Sequence, residues 1–148
     1  MNSVSNPSDL TVKPPRSPRA RLGGYIILGR AIDKCRALLN GNIGEYHFDC
    51  PLDNVLFSFK VVSGEDLKKQ VAKGLSDEQI VQWLNSSGTS KTPEEIRAWA
   101  DKTEALSLYA IPEKREYFAA ECKKLGLNPA TTTTFTWLEA DDRASVGV

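Results

Sequence analysis

The sequence is poor in the side chains that most catalytic and metal sites use. Its 148 residues include one histidine, His47, and three cysteines, Cys35, Cys50 and Cys122, with no Cys-x-x-Cys pair. A single histidine excludes sites that need two, such as the facial triad of non-haem iron. Three widely spaced cysteines predict reduced thiols rather than a disulfide framework. We therefore predict neither a metal site nor a bound cofactor.

Long hydrophobic runs are also missing. None is longer than the four residues from Tyr25 to Leu28, which are far too few to span a bilayer. The segment from Met1 to Lys13 lacks the apolar centre of a secretory signal. These two features predict a cytoplasmic protein with no membrane partner.

The formal net charge is zero, but it is unevenly distributed. Residues 1–36 carry seven lysines and arginines against two acids, and the rest of the chain has the opposite excess. The basic front end therefore either lies on its own acidic domain or binds an anionic ligand. Nucleic acid is not predicted as a partner, because the acidic body offers no basic face. The second helix of the pair at 64–86 also opens with Asp77-Glu78 and carries no lysine or arginine.

Helix start and stop signals are frequent. Leu28, Ile32, Cys35 and Leu39 have the spacing of one helical face, which makes Cys35 a core residue, and Asn40-Gly41 ends that helix. Capping residues predict the starts of three further helices. These residues are Ser63 for the first, Ser76 with Gln79 for the second, and Thr92 with Glu95 for the third. We predict a mainly α, single compact domain of five to seven helices over 14–148. Residues 1–13 are predicted to be a flexible N-terminal arm, and at most a minor strand is expected near 45–50.

The later helices are less sharply defined. Pro51 is placed to open a short helix. A stripe at helical spacing predicts a helix that continues up to Pro112, and its members are Ile96, Trp99, Thr103, Leu106 and Ala110. The tail at 135–138 is predicted to add a short docked helix or strand.

The segment from Glu45 to Pro51 contains the side chains best suited to chemistry. As an extended stretch it places Glu45, His47 and Asp49 on one side and Tyr46, Phe48 and Cys50 on the other. Cys50 at a helix start suggests a thiol nucleophile, with His47 as base and Asp49 to orient it. The alternation argues against this, because it separates Cys50 from His47. The other interpretation is that the second set is core and the first set caps a helix or holds the arginines.

An arginine- and glycine-rich stretch is the best candidate for a binding site. Guanidinium groups pair with phosphate or carboxylate, and glycines let a ligand approach the backbone. The predicted ligand-binding residues are Arg16, Arg19, Arg21, Gly23, Gly24, Tyr25 and Glu45. The alternative is that the arginines clamp the front end to acids such as Glu45, Asp49, Asp141 or Asp142. We predict that arginine-to-acid contacts join 16–21 to 45–53 as two halves of one site.

Three stretches resemble a family of small bacterial proteins defined only as a domain of unknown function. They are Pro15-Arg16-Ser17-Pro18-Arg19-Ala20-Arg21-Leu22-Gly23-Gly24-Tyr25, Glu45-Tyr46-His47-Phe48-Asp49-Cys50-Pro51 and Trp137-Leu138-Glu139-Ala140-Asp141-Asp142-Arg143. The resemblance covers the chain from about Pro14 to its C-terminus. It implies a single-domain, helix-rich cytoplasmic protein from a bacterium. It implies no activity and carries over no catalytic residue.

Three functions of different classes remain open. The first is a domain that binds a small anionic molecule or a protein partner through the arginine–glycine edge next to His47. The second is a small thiol-dependent hydrolase or transferase with Cys50 as nucleophile and His47 as base. The third is an interaction protein that uses Trp83, Trp99 or the 135–138 tail as an exposed anchor. The sequence does not indicate the oligomeric state.

Overall fold

A computed structural model describes residues 9–146 and contains seven α-helices within that range. The helices are α1 (Leu28–Asn40), α2 (Pro51–Lys60), α3 (Gly64–Ala72), α4 (Asp77–Asn85), α5 (Pro93–Glu104), α6 (Pro112–Lys124) and α7 (Thr134–Val146). A short 3-10 turn, Leu108–Ala110, precedes α6. Over the described residues the one β-type pairing is an isolated bridge between Leu22 and Tyr25. The predicted mainly α fold is confirmed, and none of these helices is long and apolar enough to cross a membrane.

Local capping signals explain where the middle helices begin. Ser63, Ser76 and Thr92 each accept a hydrogen bond from the backbone N–H three residues on, whose own side chain bonds back to the cap. Such caps stabilise a helix by about 1 kcal/mol each. Gly41 ends α1 in the left-handed conformation, at φ 78°. These predicted starts and stops are confirmed.

Two sequence expectations differ from the structure, and a third, at most a minor strand near 45–50, is consistent with it. The helix begun at Thr92 ends at Glu104, so Leu106 and Ala110 lie outside it. Beyond it, the Leu108 N–H donates to Thr134 Oγ1 at 3.0 Å, where the chain enters the 3-10 turn. The tail forms the full thirteen-residue helix α7, and the segment at 45–50 forms turns rather than a strand.

The predicted arm at 1–13 falls partly outside the described range. Residues 1–8 lie outside the described residues. Leu10 is buried, with 2% of its surface exposed, and its N–H donates to the Asn42 carbonyl at 3.0 Å. The chain therefore docks on the loop after α1 before it reaches Pro14.

The hydrophobic core consists of two clusters. The larger one is centred on 25–28 and α1 and receives side chains from α2, α3, α4, α5 and α7. The smaller one contains Phe118, Cys122 and Trp137, and it joins α6 to α7. Leu138 packs against both clusters.

Helix α1 is buried from Leu28 to Ala37, and this buried stretch includes four charged residues. Each is paired with a charge from another part of the chain at a nitrogen-to-oxygen distance of 2.7 to 3.0 Å: Arg30 with Asp142, Asp33 with Arg16, Lys34 with Asp53, and Arg36 with Asp77. Lys34 Nζ lies close to Asp53 Oδ1, and Arg36 Nη2 lies close to Asp77 Oδ1, but the angles at these atoms do not fit a hydrogen bond. These are therefore ion pairs rather than hydrogen bonds at those oxygens.

We predict that replacing Lys34 by methionine strongly destabilises the fold. Asp53 is fully buried, with 0% of its surface exposed, and Lys34 is its ion-pair partner. Removing one partner of a buried pair costs about 3–5 kcal/mol. The double variant Lys34→Met/Asp53→Asn should recover much of that loss, since no charge is then left unpaired. Urea unfolding of both variants measures the difference.

The matched control is Lys124→Met, which removes the ion pair between Lys124 and Glu121. The Lys124 side chain is 70% exposed. Exposed pairs contribute about 0–1 kcal/mol, so this variant should unfold almost like the wild type. A loss from Lys34→Met no larger than the loss from Lys124→Met would contradict the prediction.

Candidate functional site

A tight turn at Leu22–Tyr25 presents the two adjacent glycines of the front end. Leu22 and Tyr25 exchange backbone hydrogen bonds at 3.0 Å, and the φ angles of Gly23 and Gly24 are 60° and 88°. A Cβ at position 23 would lie 2.4 Å from Val81 Cγ1, so the turn fits α4 only with glycine there. Both glycines are exposed, and their N–H groups donate no hydrogen bond among the described residues.

The turn forms one wall of a cleft of about 430 Å³, named here the Arg21 cleft. Its lining residues are Arg21, Gly23, Gly24, Asn85, Lys91, Pro93, Ile96 and Arg97. The three charged members are all cations. Pro93 opens α5, so the positive end of that helix dipole lies at the cleft. Glu94 and Glu95 in the same helical turn offset part of this effect.

The three cations differ in how firmly they are held. Arg21 donates through Nη2 to Asp101 and Glu104 at 2.8 Å each, and its pKa is raised by these bonds. No other nitrogen of Arg21 makes a hydrogen bond within 9–146. Lys91 lies over the Phe59 ring at 4.7 Å from its centroid. Arg97 is exposed and forms no ion pair within the described part of the chain.

Tyr25 lies behind the cleft rather than in it. It is fully buried, and its hydroxyl donates to Asn85 Oδ1 at 2.6 Å. Burial raises the pKa of Tyr25. Because Oδ1 of Asn85 is occupied as an acceptor, its amide NH₂ remains as a donor for the cleft. The predicted ligand residue Tyr25 therefore contacts Asn85, which lines the cleft, but does not line the cleft itself.

Arg16 and Arg19, also predicted to bind ligand, do not line the Arg21 cleft. Arg16 bonds to Asp33 at 3.0 Å and to Asp77 at 3.0 Å, and Arg19 pairs with Glu139 at 3.3 Å. Burial alone would raise the pKa of Asp77, but the bonds and charges of its arginine neighbours outweigh it and lower the pKa. The pKa of Glu139 is lowered in the same way against its burial, by Ser17 and Arg19. These two arginines hold the front end to the domain.

The segment from Glu45 to Cys50 alternates in exposure as predicted, although it is not a strand. Glu45, His47 and Asp49 are exposed, whereas Tyr46, Phe48 and Cys50 are half-buried. No hydrogen bond or ion pair involves Glu45 or His47 side chains within the described residues.

The predicted arginine-to-acid contacts between 16–21 and 45–53 are wrong. Arg16, Arg19 and Arg21 reach acids of other segments, and within residues 9–146 no ion pair joins the two stretches. The two stretches are connected through α1 instead. Arg30 forms a bidentate pair with Asp142, and the Tyr46 hydroxyl donates to Asp142 Oδ1 at 3.0 Å.

Arg30 also reaches the carbonyl oxygen of Arg16, at 3.4 Å from Nη1. Burial, followed by the charge of Asp142, raises the pKa of Tyr46. Asp142 is one of the acids predicted to hold the front end, and it does so through Arg30.

The proposed catalytic residues His47, Asp49 and Cys50 do not contact one another through any side-chain hydrogen bond in the described structure. Cys50 is the N-cap of α2, and its Sγ accepts from Lys34 Nζ at 3.4 Å. Asp49 has φ 64° and accepts from Asn54 Nδ2 at 2.9 Å. The alternation that separates His47 from Cys50 therefore persists, and Lys34 is the polar partner of the thiol.

The other two thiols belong to the core. Cys35 and Cys122 are both fully buried. Burial raises the pKa of Cys35 to about 12 and also raises the pKa of Cys122. Among residues 9–146 no group of three or more His, Cys, Asp or Glu side chains is arranged to hold a metal ion.

Sequence reasoning missed Asn85, Lys91 and Arg97 as cleft residues. The sequence does show that two cations lie near one helix start. Lys91 precedes the predicted cap at Thr92, and Arg97 follows within the first two turns of that helix. Nothing in the sequence places this helix start against Gly23 and Gly24.

Comparison with known proteins agrees with the resemblance seen in the sequence. No curated protein matches this chain. A family model described as a domain of unknown function, DUF5069, matches residues 12–144. This range includes every helix except the last two residues of α7. The chain therefore belongs to this family of domains of unknown function.

Proposed function

We propose that this domain binds a small anionic ligand in the Arg21 cleft. The observation that carries the proposal is the charge of the lining, which includes three cations and no carboxylate. Concave sites with a few convergent polar groups are where proteins hold small molecules, and about 430 Å³ lies within their usual range. The proposal keeps the first function suggested by the sequence and moves its centre from Arg16 to Arg21.

The donors of the cleft suit phosphate or carboxylate groups. Gly23 and Gly24 offer two backbone N–H groups, and the positive φ angles that they adopt are costly for other residues. Arg21 keeps the nitrogens that do not bond to Asp101 and Glu104. Arg97 and Lys91 add charge that no acid neutralises by an ion pair within the described residues. Charge-assisted hydrogen bonds of this kind are the strong ones.

The turn is also held in place before a ligand binds. Gly23 and Gly24 are exposed and their N–H groups have no internal acceptor within the described residues, while the neighbouring Tyr25 is fully buried and fixes the turn from behind. The turn is therefore preorganised, which reduces the entropy lost when a ligand binds.

We predict that inorganic pyrophosphate binds the wild-type protein and that Arg97→Gln weakens this binding about fivefold. An exposed ion pair contributes up to about 1 kcal/mol, and Arg97 has no internal ion pair to lose. The double variant Lys91→Gln/Arg97→Gln should bind more weakly still. Isothermal titration calorimetry at low ionic strength measures both affinities, and binding should weaken as salt is added.

The control is Lys102→Gln, which removes an exposed cation from the last turn of the same helix but does not line the cleft. It should bind pyrophosphate like the wild type. Failure of phosphate, pyrophosphate and citrate to bind, or equal binding to the double variant and to the control, would overturn the proposal.

A second candidate function, thiol chemistry at Cys50, is favoured by one observation. Cys50 is the one cysteine that is not buried, and it lies beside the ammonium group of Lys34. A thiol-dependent hydrolase or transferase needs a reachable sulfur atom, which the other two cysteines do not provide. His47 does not contact this sulfur, so a base role for His47 is not part of this candidate.

We predict that iodoacetamide modifies Cys50 in the folded protein at neutral pH while Cys35 and Cys122 stay unmodified. A pKa of about 12 leaves Cys35 with roughly a thousandfold less thiolate than an ordinary thiol. His47→Gln should leave the rate at Cys50 within about twofold, because the two side chains share no hydrogen bond. Peptide mass spectrometry reads each site, and unfolding in urea should expose all three.

Two outcomes would count against this candidate. Resistance of Cys50 to modification in the folded protein would remove its basis. A large drop in rate from His47→Gln would instead restore His47 as the base. Cys50→Ser should bind pyrophosphate normally, since Cys50 does not line the Arg21 cleft.

A further inference from the structure

A second cleft, of about 400 Å³, lies between the two hydrophobic clusters and shares no lining residue with the Arg21 cleft. It is named here the Leu106 cleft. Its walls come from the start of α2, the chain between α5 and α6, the start of α6, and α7. Phe135 of the larger cluster and Trp137 of the smaller one both contribute to its lining. The cleft therefore occupies the seam where the small cluster meets the main core.

Exposed apolar side chains are concentrated in this cleft. Among the described residues eight large hydrophobic side chains are strongly exposed, and four of them line it: Val55, Leu106, Ile111 and Tyr117. Leu106 and Tyr117 each expose 56% of their surface. Scattered exposed apolar residues need no explanation, but a contiguous group of them marks a binding site.

Charge at the cleft has one sign. Lys114 is the one ionisable cation in the lining, no carboxylate accompanies it, and it forms no ion pair among the described residues. The indole Nε1 of Trp137 is buried and has no hydrogen-bond acceptor within the described residues. A buried donor left unsatisfied is destabilising. A ligand carboxylate that reached Lys114 would gain an ion pair that this side chain lacks among the described residues.

We propose that the Leu106 cleft binds single-chain carboxylates, with the hydrocarbon chain along the apolar wall and the carboxylate at Lys114. An apolar body with one anionic end matches the lining, which is apolar apart from hydroxyl groups, one ammonium group and one indole N–H. The volume of the cleft is of the size that holds small ligands rather than a protein domain. This site is separate from the proposed anion site, and each can be tested without the other.

The test titrates hexanoate, octanoate and decanoate into the wild-type protein by isothermal titration calorimetry, each below its micelle concentration. Each buried methylene contributes about 0.8 kcal/mol, so the affinity should rise about fifteenfold per added pair of carbons. Lys114→Gln should weaken octanoate binding about two- to fivefold and leave the binding of 1-octanol unchanged. Leu106→Asp should abolish binding of all three acids.

Matched variants separate the cleft from the rest of the surface. Lys123→Gln removes another cation of α6, and Val61→Asp adds an acid at an exposed apolar position that does not line the cleft. Both should bind octanoate like the wild type. Ile111→Asp, at a residue that is 40% exposed, repeats the test if Leu106→Asp does not fold.

Three results would overturn the proposal. The first is no saturable binding of any of the acids, and the second is binding that is unchanged in both aspartate variants. The third is self-association of the wild-type protein that Leu106→Asp abolishes, without carboxylate binding. In that case sedimentation velocity would identify the cleft as a contact between copies of this chain.

Discussion

The buried charges of α1 are the constraint on which the rest of the fold depends. Arg30, Asp33, Lys34 and Arg36 are each at least 92% buried, and a buried charge without a partner is strongly unfavourable. Their partners come from the front end, α2, α4 and α7. Buried ion pairs add little stability over apolar packing, but breaking one costs several kcal/mol. The pairs therefore act mainly by excluding arrangements in which these four segments are displaced.

This constraint also places the Arg21 cleft. Arg16 bonds to Asp33 of α1 and to Asp77 at the start of α4, so the front end must run across both helices. Tyr25, four residues after Arg21, is buried in the core. Between them, Gly23 lies so close to Val81 of α4 that no side chain would fit at position 23. The turn is thus fixed at both ends, and Gly23 and Gly24 remain exposed between them. Arg16 holds the front end to α1 and α4 and does not line the Arg21 cleft.

Local signals in the sequence predicted the local features of the structure. The caps at Ser63, Ser76 and Thr92 and the stop at Gly41 depend on residues a few positions apart, and all are confirmed. The one-faced interpretation of α1 was incomplete, because the helix is buried on nearly all sides and Leu39 is 37% exposed. The partners of its charges could not be predicted, since Arg30 and Asp142 are separated by 112 positions. No periodicity or cap signal reports on contacts at that range.

The uneven charge of the sequence has a different meaning once the pairs are known. Six of the seven cations in residues 1–36 form ion pairs with acids, and all six have a partner in the later, acidic part of the chain. The excess of positive charge at the front end is therefore largely neutralised within the domain. Cations that form no ion pair with the residues at 9–146, such as Lys91 and Arg97, lie in the acidic part, where net charge gave no reason to expect a binding site. What a ligand can use is the charge left over after folding, and that depends on tertiary pairing rather than on composition.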